Sequence, residues 1–311
     1  MVVQQFNTPI LLVIFNRPAT TQKVFDVIRE LKPKHLFVAA DGPHHGNMED
    51  IEKCRASRAI FKQIDWPCEL QIRFHEENLG CGRSPADAIT WFFENVEQGI
   101  VLEDDIIAHP SFFSFCEELL LRFKDDERVA MISGINFLSP WKSKQSSYIF
   151  SYLGATPGWA SWRRVWQNYD YHLRSWNNAS MQKKISRVLA QRAVFACYSK
   201  EFDSLAKNPR DDVWDYQWFY TRLAIAGCSV VPTVNLVTNI GFGPDATHTT
   251  NSNNPHAHLQ MNAMVFPLKH KEFKISRRYE KLLFDRILNP TKKSFFKRIR
   301  RVLKKIFEWW S

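Results

Sequence analysis

Three adjacent carboxylates, Glu103, Asp104 and Asp105, interrupt the apolar stretch "GIVLEDDIIAHPSFF". Like charges this close resist desolvation, so the cluster either faces water or is neutralised by a cation. As a solvated turn it would cap the helix beginning near Ser111. As a cation seat its oxygen donors suit Mg2+ or Mn2+, and such an ion would bridge a carboxylate to a diphosphate. No GxxxxGKS or GxGxxG loop occurs in the chain, so a phosphate ligand would need the cation.

Other polar residues invite the same question. Asp215, in "WDYQW", is either a surface helical carboxylate or a general base whose pKa its tryptophan neighbours raise; Trp214 and Trp218 would offer faces to a sugar ring. Asp41, in "AADGP", either opens a turn or accepts from a ribose hydroxyl or a base N–H. Arg17, in "FNRP", makes a structural ion pair or meets a nucleotide base or phosphate. Arg83, in "GCGRSP", is the weaker basic candidate because it flanks a helix. His248, in "GPDATHT", is a solvated loop residue or a ligand to metal or phosphate. His256 and His258 form HxH in an Asn-rich loop and read as unrelated to a site.

The elements that would position these residues alternate. "TPILLVIFN", "HLFVAADGP", "CELQIRFH" and "GIVLED" are strand-length runs separated by helical spacing over Thr20 to Leu31, Asp50 to Ile64 and Pro85 to Val96. Such alternation argues for an α/β fold with a mostly parallel central sheet flanked by helices, ligands binding beyond the carboxyl ends of the strands. Arg17, Asp41, the Asn78 to Arg83 loop and the acidic triplet all fall at such ends. After "RVAMISG" the pattern loosens. "TPGWASWRRVW" enters a short helix, "RDDVWDYQWFYTRLAIAG" reads as a helix ending at Gly227, "CSVVPTVNLVTNIG" is strand-like, and "FGPDATHTTNSNNPHAHLQ" is a loop.

Composition narrows the class. With 311 residues, 45% hydrophobic and 14% aromatic, the chain supports a substantial core. Its six cysteines lack CxxC spacing, which points to neither a zinc site nor a disulfide framework and fits a reducing cytoplasm. The N-terminus lacks the pattern of a signal peptide, and no run approaches the roughly 18 to 20 apolar residues of a membrane span. Of the formal net charge of +10, eight basic residues and one acidic residue from Lys292 onward contribute +7, so nucleic acid is not the expected partner. That tail, "KKSFFKRIRRVLKKIFEWWS", spaces apolar residues as an amphipathic helix does. It is expected either to pack on the body or to lie on an anionic membrane surface.

Taken in order, "NRP", "ADGP", "VLEDDIIAHPSFF", "PGWASWRRVW", "WDYQW" and "NIGFGPDATHT" resemble the metal-dependent glycosyltransferases of the GT-A fold. The similarity is greatest to the alpha-mannoside beta-1,2-N-acetylglucosaminyltransferase family and its bacterial relatives, over about residues 8 to 250. The resemblance implies that Arg17 and Asp41 hold the nucleotide and that Glu103 and Asp104 lie near ribose and diphosphate; Arg83 stays a further nucleotide-contact candidate from its own position. It makes Asp105 the direct ligand of Mn2+, with Mg2+ the other ion expected, and Asp215 the base that deprotonates an acceptor hydroxyl as the anomeric centre inverts; His248 stays a second metal candidate by its own chemistry. Trp159, Trp214 and Trp218 would face acceptor or sugar. The expected domain layout is a GT-A domain over 1–270, with a nucleotide-binding half at 1–134 and an acceptor and catalytic half at 135–270, then a basic amphipathic segment over 271–311. The expected reaction is transfer from a nucleotide-diphospho-sugar, UDP-linked, to a glycan or glycolipid acceptor. The resemblance places it in bacterial surface polysaccharide synthesis, such as lipopolysaccharide or capsule, at the inner face of the cell membrane. Two competing readings are a sugar-nucleotide nucleotidyltransferase and a non-enzymatic basic peripheral membrane protein. "FNRPATTQK" lacks the glycine- and basic-rich phosphate loop the first would need.

Overall fold

The computed structural model describes residues 5–143, 145–208, 210, 212–241 and 259–289. The first half alternates as expected: β1 (Ile10–Ile14), α1 (Pro18–Leu31), β2 (His35–Ala40), α2 (Met48–Ala59), β3 (Glu69–Phe74), α3 (Gly80–Asn95) and β4 (Gln98–Glu103). There follow β5 (Ile106–Ala108), α4 (Pro110–Arg122), β6 (Val129–Ser133), β7 (Tyr148–Ser151), β8 (Trp159–Trp162), α5 (Arg163–Trp166), α6 (Ala179–Leu189) and α7 (Arg192–Lys207). The last elements are α8 (Asp215–Ala224), β9 (Cys228–Pro232), β10 (Val237–Asn239) and α9 (Arg277–Leu283).

Eight strands form one sheet in the order β3-β2-β1-β4-β8-β6-β9-β7, with β8 and β7 running against the other six. This is the expected mostly parallel sheet flanked by helices. β1 is buried along its whole length, and β2 and β4 nearly so, which is why their sequences are continuous apolar runs rather than alternating ones. Helix α3 closes one face by packing Phe92 edge-on against Phe37 of β2, ring centroids 5.0 Å apart. β5 and β10 pair as a separate antiparallel ribbon. The acidic triplet therefore closes β4 and fills the two-residue link to β5, at the carboxyl edge of the sheet's middle.

Several local expectations change. Helix α3 begins at Gly80, not Pro85, because the buried carboxylate of Asp41 accepts the backbone N–H groups of Leu79 and Gly80 and organises its first turn. Pro85 is tolerated inside the helix at the loss of one intrahelical bond. "WASW", read as the approach to a short helix, is itself the strand β8, wedged antiparallel between β4 and β6, and the short helix α5 follows it directly. "CSVVPTVNLVTNIG" is two strands, split by a turn in which buried Asn235 donates to the Val237 carbonyl (2.7 Å) and accepts from the Asn136 N–H (3.1 Å).

The expected boundary at residue 270 does not fall at a break in the fold. The Ser276 N–H donates to the Phe150 carbonyl (2.8 Å), and Tyr279 and Leu283 of α9 are buried in a second apolar cluster with Trp176 and Leu223. Residues 271–289 are thus part of the body. The basic amphipathic stretch, residues 292–311, lies outside the described residues, and among the described residues no helix is long and apolar enough to cross a membrane.

Candidate functional site

A cleft of about 760 Å³ opens above the carboxyl ends of β1, β2 and β4, a volume in the range of small-ligand sites. It is lined by Arg17, Asp41, the whole acidic triplet, Trp214 and Asp215. Of the residues singled out by sequence, the fold brings these seven to one cavity.

The triplet is internally organised. Asp104, 2% exposed, accepts from the Phe15 N–H (3.2 Å) and forms an ion pair with Arg17. A second guanidinium nitrogen of Arg17 reaches Asp105 at 2.9 Å. Arg17 is therefore paired with two carboxylates inside the acid cluster while it also lines the cleft. This pairing arises because β1 and β4 are neighbours, so their ends meet. Gly241 closes over the pair: a Cβ there would lie 2.2 Å from Asp105 Oδ2 and 2.8 Å from Arg17 Nη1.

One guanidinium cannot balance three carboxylates. Burial, then Asp105 and Asp104, push the Glu103 carboxyl up to about 8. Burial also raises Asp104, to about 6, against the pull of Arg17. Among the described residues the Glu103 carboxylate accepts no hydrogen bond, while it lines the cleft. Excess negative charge with an unused hard-oxygen donor fits a divalent cation. No group of three His, Cys, Asp or Glu side chains among the described residues is arranged to hold a metal ion by itself. The donor set thus fits an ion of the Mg2+ type, which takes one or two carboxylates and completes its shell with water and substrate phosphates.

This charge excess has a thermal consequence. Glu103 and Asp104 keep protons to higher pH in the folded chain than in the unfolded one, so stability falls as pH rises from the ordinary carboxylate range towards about 8. In metal-free buffer the melting temperature is expected to drop between about pH 5 and pH 8. Mn2+ should raise it more at the upper end, and Glu103→Gln should flatten the profile. Scanning fluorimetry at matched ionic strength decides this; an unchanged slope in Glu103→Gln counts against the assignment.

Asp41 is also reassigned. Its carboxylate accepts from Gly42 N and Leu79 N (2.8 Å each), and from Gly80 N and Asn78 Nδ2 (3.1 Å each). These four bonds use its acceptor capacity, so it fixes the loop before α3 rather than offering oxygens to a ribose or base. Burial raises its pKa against those bonds. Gly42 is required beside it, since a Cβ would meet the Glu77 backbone at 2.3 Å.

Asp215 is the first residue of α8, exposed, and accepts from its neighbour's N–H, Tyr216 N, at 3.0 Å. Its charge contributes to the upward shift of Glu103, so the two carboxylates sense each other across the cleft. The tryptophans around it do something other than expected. Trp159 is 1% and Trp218 0% exposed, so neither ring face is open to a sugar. Trp159 stacks on Trp214 (6.0 Å) and meets Trp218 (5.3 Å), tying the start of α8 to β8. Trp214, 6% exposed, reaches the cleft wall. These rings position Asp215.

Arg83 is exposed on the first turn of α3 and is not part of the cleft lining. His248 lies outside the described residues. Sequence reading missed His44 and Cys81, which line the cleft, and Asp50, which holds His44. The signal for His44 was its position just after the "AADGP" strand end.

The sequence matches no family model and no curated protein. Among solved structures, the chain is similar to the inositol-1-phosphate CTP transferase from T. maritima (TM-score 0.40, 11% identity, covering 81% of this chain and 95% of that one). It is also similar to a UDP-glucose pyrophosphorylase complexed with UDP-glucose (TM-score 0.31, 10% identity, 52% and 78% covered). A third is the 4-diphosphocytidyl-2C-methyl-D-erythritolsynthase from Anaerococcus prevotii (TM-score 0.31, 12% identity, 54% and 78% covered). Likeness at these scores and identities carries nothing about activity, which has to be argued from the cleft.

Proposed function

We propose that the cleft binds a nucleotide-diphospho-sugar together with a divalent cation and transfers the sugar, with inversion, to an acceptor hydroxyl deprotonated by Asp215. The observation that carries the reading is the shared cavity: an under-neutralised acidic triplet at the end of β4 and a separate exposed carboxylate at the start of α8. The two carboxylate groups have environments suited to different tasks. The buried, crowded triplet suits a cation that arrives with a diphosphate, and exposed Asp215 suits proton acceptance from a hydroxyl.

Glu103 and Asp105 would hold the ion, with Asp104 and Arg17 fixing Asp105 from behind. When bound, the ion would neutralise charge developing on the leaving diphosphate. The protein's own work is to orient: the Asp41 network sets the loop before α3, and the tryptophan stack sets Asp215. The proposal extends to a glycan or glycolipid acceptor at the inner face of a membrane touched by the basic segment 292–311.

The test is a panel of nucleotide sugars incubated with Mn2+ and acceptor glycans, reading nucleoside diphosphate release. Release is expected with one class of donor, UDP sugars first, and is expected to vanish in Asp105→Ala. A second reading is nucleotidyl transfer, the kind of activity in the name of the CTP transferase above. Pyrophosphate released from a nucleoside triphosphate and a sugar phosphate would move the assignment to it. Against it stands the described cleft lining, whose arginines, Arg17 and Arg210, are already engaged by Asp104, Asp105, Asp212 and Glu201.

A further inference from the structure

His44 stands on the cleft wall beyond the end of β2, two strands from the acidic triplet and on the side away from β8, whose Trp159 stacks on Trp214 next to Asp215. Three contacts hold the residue, two of them through its ring. Its Nδ1 hydrogen-bonds Asp50 Oδ2, and its ring meets Phe15 edge-on, centroids 5.6 Å apart at 73°. Its backbone N–H reaches the same Asp50 oxygen at 3.4 Å. Asp50, 6% exposed, is itself held by Asn16 Nδ2 at 2.6 Å. Burial works to raise the Asp50 pKa, but the bonds from His44 and Asn16 outweigh it and keep the carboxylate below its ordinary range.

An ionised carboxylate can only accept, so the neutral imidazole must carry its proton on Nδ1. Among the described residues Nε2 is then left as a bare acceptor, on a side chain 60% exposed. With cation and diphosphate seated at the triplet and the acceptor beside Asp215, the space by His44 and Phe15 falls to the remaining part of the donor. We infer that His44 Nε2 accepts a hydrogen bond from the nucleoside, with Asp50 and Asn16 as positioning residues that set its tautomer. The inference rests on the nucleotide reading above and deepens it. Two nucleoside groups share the required chemistry, a ring N–H of the base and a ribose hydroxyl.

The test uses the full chain with Mn2+ present, titrated calorimetrically with UMP, with 3-methyl-UMP, which lacks the ring N–H, and with 2′,3′-dideoxy-UMP, which lacks the ribose hydroxyls. Wild type is expected to bind one analogue about 10-fold more weakly than UMP, the worth of one good hydrogen bond. His44→Ala should lose about the same factor on UMP and discriminate that analogue no further. Asp50→Asn places an amide N–H against Nδ1, which drives the imidazole to the Nε2–H tautomer. It should therefore lose UMP affinity as His44→Ala does, while its melting temperature confirms folding.

UMP binding by His44→Ala within twofold of wild type overturns the inference, as does discrimination of both analogues that survives in His44→Ala. Failure of wild type to bind any nucleoside monophosphate overturns the nucleotide reading along with it. Binding of UMP by wild type with no effect of His44 overturns only the inference.

Discussion

Asp215→Asn is expected to reduce sugar transfer by about 10²- to 10⁴-fold, the usual worth of a positioned general base, while donor affinity stays within about twofold of wild type. The amide is isosteric and still accepts from Tyr216 N, so the start of α8 keeps its local bond. It cannot take a proton from a hydroxyl. The side chain is exposed and the helix is anchored by buried Trp218; loss of a carboxylate at the helix N-terminus is expected to cost about 0.3–1 kcal/mol. A split between transfer and binding is therefore the signature. The check is to measure nucleoside diphosphate release with acceptor present alongside calorimetric donor binding. If transfer by Asp215→Asn stays near wild type, the base lies elsewhere.

The supports of Asp215 make a contrast with Asp215 itself. Trp159 and Trp218 look like sugar-facing rings when read beside "WDYQW", because a sequence shows that aromatics cluster but not which face is covered. The fold places β8 between β4 and β6, and that placement turns both rings into core. The same limit explains Arg17. Its location at a strand end is legible from "LLVIFNRP", yet its partners are set by the pairing of β1 with β4, which brings position 17 against positions 104 and 105. Asp41 is a third case: a strand-end aspartate has the right chemistry for a ribose, and only the return of residues 78–80 beneath it shows that its oxygens are taken. What periodicity did reveal was the buried parallel strands and the rim at their carboxyl ends, because strands covered on both faces must be continuously apolar and must stop at polar residues. His44 escaped because its meaning depends on Asp50, and that carboxylate is part of an otherwise unremarkable helix start.

Arg17→Met tests the charge balance at the heart of the site. The substitution keeps most of the apolar stem and deletes the only guanidinium facing Asp104 and Asp105 among the described residues. Removing one partner of a largely buried ion pair costs about 3–5 kcal/mol, because the other charge is left without compensation. Here the cost has two escape routes. The first is protonation: Glu103 and Asp104 already sit above the ordinary range, and without Arg17 they would move higher. Stability present at low pH is then lost as pH rises through those raised values, so the destabilisation should be small near pH 5 and full near pH 8. The second is substitution of one cation for another. A divalent ion at the triplet would replace the missing positive charge, so Mn2+ should restore melting temperature in Arg17→Met at pH 8 by more than it stabilises wild type. Denaturant titrations at the two pH values, each with and without Mn2+, separate the routes. A loss of stability in Arg17→Met that is the same at pH 5 and pH 8 and insensitive to Mn2+ would show that Arg17 serves packing alone, and the acidic triplet would lose its standing as a cation seat.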